Sequence, residues 1–375
     1  MHDRYTLAMI KAPLKRVSLA DVAKQAGVSK QTASVVLNRG KQFDRISEAC
    51  QKRVNEAAQK LGYVSNHHMR SIRRGRADVL GLVLETDGPP GQGGRSTDYI
   101  DCITHGVLQE ACQAEQAVQV IMPTSKLSAA EQGLKALRSG AIDGLVVPGI
   151  FARIQHASLL RDFASLPLVV IQPTEPTPYA AIDFNQAAGA QLSAQHLLEL
   201  GHRELLWVGS AGLPGSADQI REHTFLSEIL KARGFGSVCH IELLNKSAST
   251  EQWIELSDQQ ISTYFQQCPT ERFPTGIACF NDLIAMGVIR ALRRMNLHVP
   301  HDVSVVGFDN VYSVLQDPPL TTVDHRFSQM GQLAVQRLLE LIDGGEKKYE
   351  QYNGHVERIE PELIIRTSTG QAKTQ

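Results

Sequence analysis

No uninterrupted apolar stretch in this 375-residue chain approaches the roughly 18 residues needed to span a bilayer. Its first residues, MHDRYTLAMIKAPLKR, hold no apolar run of signal-peptide length. A cytoplasmic protein with no membrane partner is expected. Cysteines stand at 50, 102, 112, 239, 268 and 279, with no C-x-x-C pair and no zinc-finger spacing to histidine, so reduced thiols and no metal site are expected. His196, His202 and the His67/His68 pair lack acidic or cysteine partners at ligand spacing and read as surface or packing residues. Nor is there a G-x-x-x-x-G-K-[ST], G-x-S-x-G or H-E-x-x-H motif. The glycines of GSAGLPGS (209–216) have no P-loop lysine and suit a cleft loop. No catalytic residues and no cofactor are therefore expected, which disfavours an enzyme.

Net charge is also nearly absent, at −1, but its distribution is uneven. Residues 1–76 carry 16 Lys or Arg against 5 Asp or Glu, a surplus of 11, so the remainder carries −12. A basic head on an acidic body suits phosphate binding by the head, since Lys and Arg density supplies most non-specific affinity for nucleic acid. A solvated basic face would give the same count, but not its coincidence with the motif that follows.

That motif is VSLADVAKQAGVSKQTASVVLN (17–38), two short helices joined at a glycine. Ser18 and Asp21 form a capping-box signal, Val22, Ala23 and Ala26 an apolar stripe, and Gly27 a stop. Ser29 caps the second helix, whose Thr32, Ala33 and Val36 can face the first. Lys30, Gln31, Ser34 and Val35 are then left pointing outward, as a helix entering a major groove requires. An ordinary helical hairpin shares this pattern. After a loop holding Gly40, Phe43 and Asp44, ISEACQKRVNEAAQKLGY reads as a third helix, with Ser47 as cap, Val54, Ala57, Ala58 and Leu61 at helical spacing, and Gly62 at its end. Residues 66–78, NHHMRSIRRGRAD, read as a basic linker. Read instead as a short helix, they would set Met69 and Ile72 as an apolar edge among Arg70, Arg73, Arg74 and Arg76, fit to wedge into a minor groove.

From residue 79 short apolar runs alternate with helical segments. VLGLVL (79–84), AVQVIM (117–122), DGLVVP (143–148), PLVVIQ (167–172), ELLWVG (204–209), TGIACF (275–280) and VSVVGF (303–308) suit buried parallel strands. Helical segments lie around 98–116, 127–139, 186–200, 216–233, 251–267 and 282–296. This βα order predicts doubly wound sheets, and the length predicts two lobes with a ligand cleft between them at the strands' carboxyl ends.

Taken together, VSLADVAKQAGVSKQTASVVLN, RVNEAAQKLGYVSN, HLLELGHRELLWVG, CFNDLIAMGVIRAL, VPHDVSVVGFDN and PPLTTV resemble, in order and spacing, the LacI/GalR family of transcriptional regulators, from about Val17 to Arg366. The resemblance implies an all-α helix-turn-helix head on an α/β body of two doubly wound lobes like those of periplasmic sugar-binding proteins. Its domains would be an extension (1–16), the head (17–64), a hinge helix (65–78), the effector and dimerisation domain (79–366) and a polar tail (367–375). It implies a homodimer on a pseudo-palindromic operator, acting as a repressor of carbohydrate-utilisation genes and controlled by a small sugar or sugar phosphate. A purine or other corepressor is the nearest variant, and a solute-binding transport component a rival of another class, disfavoured by the missing export signal and the basic head.

Residue by residue, the resemblance assigns base readout to Lys30, Gln31 and Val35, and DNA-backbone contacts to Ser29, Thr32, Ser34, Asn38, Asn66, Arg70 and Arg73. Met69 and Ile72 would be the minor-groove wedge. Val35 stands where the family commonly has arginine, so a thymine methyl replaces an expected guanine contact. For the effector it selects Arg221, in QIREHTF, with Asn281 and Asp309 at strand ends; Asp87, Tyr99 and Trp253 are further candidates, and Asp282 reads equally as a helix N-cap. The first cleft loop, ETDGPPGQGGRSTDY, is longer and richer in glycine than the family's, and the tail has no leucine heptad for tetramerisation.

Overall fold

The computed structural model describes residues 17–38, 42–63, 75–84, 98–149, 166–173, 177–210, 216–232, 236–243, 250–352 and 354–373. The chain divides into two compact units, residues 1–77 and 78–375. The hinge-helix residues Asn66, Met69, Arg70, Ile72 and Arg73, with Asp87 of the first cleft loop, lie outside the described residues.

The head holds α1 (Leu19–Ala26), α2 (Lys30–Leu37) and α3 (Glu48–Leu61). Ser18 and Asp21 close a reciprocal capping box, and Gly27 ends α1 at φ 66°, a left-handed conformation that glycine adopts without Cβ strain. Val22, Ala23 and Ala26 pack against Ala33 and Val36 of α2 and Val54, Ala57 and Ala58 of α3. So many alanines let three short helices approach closely around one small core. Two expectations are corrected. Ser34 does not face outward but is buried, because Ala33, Ser34 and Val36 together form the inner side of α2. Ser47 is the N-cap of α3 but its side chain makes no capping hydrogen bond.

The body is two six-stranded sheets. The first orders β11-β5-β4-β3-β1-β2, all parallel, from β1 (Val79–Val83), β2 (Ala117–Ile121), β3 (Gly144–Pro148), β4 (Leu168–Ile171), β5 (Ala180–Phe184) and β11 (Val356–Ile359). The second orders β12-β10-β9-β8-β6-β7, from β6 (Glu204–Ser210), β7 (Ser237–Leu243), β8 (Gly276–Cys279), β9 (Ser304–Asp309), β10 (Thr321–Asp324) and β12 (Glu362–Ile364); only β12 runs antiparallel. All seven strands expected from sequence are present. The body helices are α4 (Asp98–Gln113), α5 (Ala129–Arg138), α6 (Gln186–Glu199), α7 (Ala217–Lys231), α8 (Thr250–Gln267), α9 (Asp282–Arg294), α10 (Phe327–Gly344) and α11 (Glu346–Tyr352). Among the described residues no helix is long and apolar enough to cross a membrane, and no group of His, Cys, Asp or Glu could hold a metal ion.

The chain passes between the sheets three times, from β5 into α6, from β10 into α10, and from β11 into β12. The second passage is fixed by α10 lying against α4 and the first sheet. Phe327, Met330, Ala334, Val335, Leu338 and Leu341, spaced on one helical face, are buried in the first-lobe core. Gly106 and Gly331 allow the close approach of α10 to α4: a Cβ on Gly106 would sit 1.9 Å from Ser328 O, and one on Gly331 2.3 Å from Ile103 O.

The polar segment after Arg366 is not a tail. Ser368 is fully buried, donating to Val305 O at 2.6 Å and accepting from Thr321 N at 2.8 Å. His202 Nε2 lies 2.9 Å from Ser304 Oγ and 3.1 Å from Gly370 O, and His196 Nε2 lies 2.9 Å from Thr369 Oγ1. Both histidines are thus packing residues that tie this segment to the second lobe. Ending the chain after Arg366 should lower the urea midpoint of the body. Ser368→Ala alone should cost about 1–3 kcal/mol, the usual penalty for orphaning a buried hydrogen-bonding group. Unchanged denaturation curves would return residues 367–373 to the status of an appendage.

Candidate functional site

In the head the candidate surface is the start of α2. Ser29 is its N-cap: its Oγ accepts from Thr32 N at 3.0 Å and lies 2.8 Å from Thr32 Oγ1. That leaves the N–H groups of Lys30 and Gln31 without intrahelical acceptors, at the positive end of a helix dipole. Lys30 and Gln31 are exposed, and Val35, one turn beyond Gln31, is half-buried with its rim accessible. Ser34 and Asn38 close on each other instead, Asn38 Nδ2 donating to Ser34 O at 2.8 Å and to its Oγ at 3.3 Å. Of the residues selected from sequence, the structure therefore brings Ser29, Lys30, Gln31, Thr32 and Val35 to one accessible end, while Ser34 is turned inward.

In the body the candidate site lies where the strands of the second sheet end and two of the passages between lobes begin. Its centre is Arg221 on α7, only 4% exposed. Its Nε donates to Gln186 Oε1 at 2.7 Å, Nη1 to Phe280 O at 2.7 Å, and Nη2 to His325 Nε2 at 2.8 Å. Nη1 also lies 3.6 Å from Asp309 Oδ1. The guanidinium carbon sits 4.4 Å from the Phe280 ring centre and 3.8 Å from that of Phe308, so aromatic faces supply the rest of its surroundings. Gln186 begins α6 and His325 precedes α10, so one cation holds both passages to the strand ends.

Asp309, the last residue of β9, and Asn310 after it have positive φ, 105° and 56°, a backbone conformation unfavourable for residues other than glycine. Asp309 keeps 22% of its side chain accessible. Burial raises its carboxyl above the usual range, and Arg221 opposes that shift. Asp282 is wholly buried; burial first, and then the nearby Asp309, pushes it up to about 7, against hydrogen bonds from Thr322 Oγ1 at 2.6 Å and Val311 N at 3.0 Å. His325 is driven the other way, well below its ordinary value, by burial and then by Arg221. Asp218, one turn before Arg221 on α7, accepts from Ser210 Oγ and adds a further carboxyl near the guanidinium.

The remaining candidates divide. The N-cap of α9 is Asn281, whose Oδ1 accepts from Ile284 N at 2.9 Å, and not Asp282, which is committed to Thr322 and Val311. The Oδ1 of Asn281 is therefore committed to the cap. Tyr99 packs its ring 5.1 Å from Phe327, which in turn stacks on His325 at 4.5 Å, so it joins the aromatic cluster around the site from the first lobe. Trp253 packs, partly buried, against the apolar core of the second lobe. Sequence patterns do not single out Gln186, Phe280, Phe308 or His325. Each stands at the end of a strand or the start of a helix, and β5 and β10, which lead to Gln186 and His325, are too short and too mixed to read as strands.

The comparisons with known proteins agree with both halves. Residues 18–66 match the model for bacterial regulatory proteins of the lacI family, and residues 194–369 that for a periplasmic binding protein-like domain. An HTH-type transcriptional repressor PurR of Aliivibrio fischeri is 29% identical over 360 residues, covering 94% of this chain and 98% of its own. That of Haemophilus influenzae is 28% identical over 358 residues with the same coverage. Among solved structures, the Lac repressor dimer bound to operator and the anti-inducer ONPF superposes with a TM-score of 0.71 at 24% identity, covering 95% of this chain and all of that one. The transcriptional regulator CelR in complex with cellobiose gives 0.59 at 22%, covering 94% of this chain; at these identities both speak for the fold. The chain belongs to the LacI/GalR family, whose members are DNA-binding transcriptional regulators and not enzymes.

Proposed function

We propose that this regulator acts in the cytoplasm as a repressor that binds a pseudo-palindromic operator as a homodimer, one head to each half-site, under control of a small effector in the cleft at Arg221. The observation that carries the DNA half is the exposed, N-capped start of α2 bearing Lys30, Gln31 and Val35. Lys30 donates to guanine O6 or N7, Gln31 pairs with adenine N6 and N7, and Val35 meets a thymine methyl. Ser29, Thr32 and Asn38 with the α2 N–H groups hold phosphate, as do Asn66, Arg70 and Arg73 of the basic segment, while Met69 and Ile72 enter the minor groove. Ser34 reaches phosphate only if its pairing with Asn38 opens.

The effector is a carbohydrate whose hydroxyls are met by Arg221, Asn281 and Asp309. The described groups favour a neutral sugar over a sugar phosphate, because one guanidinium is already matched by Asp309, Asp218 and Asp282. The repressors named PurR among the relatives support a second reading, a purine corepressor, whose flat ring would suit the aromatic surroundings of Arg221. Either ligand acts through its differential affinity for two arrangements of the body.

Capturing fragments of the source genome on the purified chain near about 150 mM salt, with and without a panel of sugars and purine bases, should retain a few pseudo-palindromic sites. Retention indifferent to sequence under every condition would sink the operator reading. On a captured site, Gln31→Ala should cost about 1–3 kcal/mol and relax discrimination at a single base pair. Replacing Arg70, Arg73 and Arg74 by Ala should instead weaken all sequences alike, with the salt slope falling by about 0.9 for each phosphate no longer neutralised. Arg221→Gln should abolish the response of operator binding to whichever sugar or base modulates it in the parent; an intact response would remove the effector from this site.

A further inference from the structure

His325 stands in the passage from β10 to α10, is 1% exposed, and is enclosed by Phe184, Phe308 and Phe327, with ring centres 4.0, 5.1 and 4.5 Å away. A guanidinium donates from every nitrogen and accepts at none, so the 2.8 Å contact from Arg221 Nη2 makes His325 Nε2 the acceptor. The imidazole is therefore neutral and carries its proton on Nδ1. That nitrogen lies 2.9 Å from Asp309 Oδ1, but off the direction a hydrogen bond requires, and is left buried without a hydrogen-bond partner among the described residues. The charged groups facing the ring are Arg221 from α7, Asp309 at the end of β9 and Asp324 one residue back on β10. Asp282 on α9 and Asp218 on α7 lie beyond them, around the same guanidinium. Burial and Arg221 both favour the neutral ring, in agreement with the donor geometry.

We propose that His325 is the positioning residue of the cleft: its Nε2 fixes the Arg221 guanidinium to the β10–α10 passage, and its Nδ1–H is the donor that Asp309 accepts once its carboxylate turns toward the ring. Arg221 is then held from two passages at once, by Gln186 at the start of α6 and by His325 before α10. A change in the angle between the lobes re-aims the guanidinium, and a ligand that draws the guanidinium away loosens both passages. The hold itself is independent of any effector; its consequence for regulation rests on the reading of Arg221 as an effector residue.

The test uses the full chain without ligand, labelled with ¹⁵N in histidine and arginine. At neutral pH the His325 ring, assigned by its loss in His325→Gln, is expected to show a protonated Nδ1 and a bare Nε2. Arg221, assigned by its loss in Arg221→Lys, is expected to give separate, slowly rotating Nη signals. Those signals should persist in His325→Gln, whose amide oxygen replaces the acceptor, and average in His325→Phe, which keeps the aromatic packing and removes it. A ring protonated at Nε2 or at both nitrogens, or Arg221 signals unchanged in His325→Phe, overturns the proposal; if His325→Phe fails to fold, the ring's tautomer in the parent chain decides. An Arg221→Gln variant that still answers the effector, with these signals as expected, would refute the effector reading and leave the hold standing.

Discussion

A guanidinium taken out of water governs the body of this protein. Removing a cation from solvent carries a penalty of several kcal/mol that only well-placed partners offset, and deleting one partner of a buried pair costs about 3–5 kcal/mol. Arg221 meets that demand with a side-chain amide, a backbone carbonyl, an imidazole nitrogen, a carboxylate and two aromatic rings. No single element can supply such a set. The strand ends at Phe280 and Asp309 and the passages at Gln186 and His325 must all converge, so the place where the lobes join gathers these directed polar groups. An effector bound there, as proposed, would compete with contacts that hold the joint.

The topology makes that competition mechanically meaningful. With three passages between the sheets, a relative movement of the lobes is confined to a hinge, and each of the two helical passages is anchored on the far side by close packing. For α10 the anchor is its close crossing with α4 at Gly106 and Gly331, and for α6 it is the second-lobe core around Ala190, Ala194 and Leu197. Phe308 on β9 and Val323 on β10 both belong to the first-lobe core, Phe308 meeting Phe184 edge-on, so apolar packing also crosses the joint.

How legible this is in the sequence depends on the kind of signal. Strands such as VLGLVL and VSVVGF are continuous apolar runs bounded by helical segments, and burial on both faces leaves little else they could be. The shorter TTVD of β10 and AAIDF of β5 carry too few apolar residues to stand out, and the residues that follow them, Gln186 and His325, are hidden with them. The amphipathic pattern of α10 is present in the sequence, from Phe327 to Leu341, but nothing in its periodicity says that it packs on the other lobe. Ser34 falls on the wrong face because helical spacing fixes a stripe only to within a residue or so, and a serine small enough to bury beside Val36 gives no warning. Asn281 and Asp282 are equally good caps, and one residue in where α9 starts decides between them. Ser368 shows the same limit at the C-terminus, where a polar composition reads as solvated although a single hydroxyl can take a buried place if both its bonds are made.

The separation of charge between head and body has a physical consequence for how such a regulator discriminates. With a surplus of 11 positive charges in residues 1–76 and −12 in the rest, attraction to phosphate comes from the head, while the body repels the same backbone. That attraction carries no sequence information, so discrimination falls to the few side chains at the open end of α2. In the proposed contacts Lys30 and Gln31 would be the polar readers, while Val35 would contribute only shape and an apolar contact, worth less than a bidentate pair. A single head so equipped would be a weak reader. Two heads on a symmetric site square the ratio of specific to non-specific binding, and anything that changes how two bodies hold their heads then acts on the product. On the proposed reading of Arg221, the leverage of one arginine at a hinge would arise there, because an effector need not touch DNA to alter a quantity that depends on both half-sites at once.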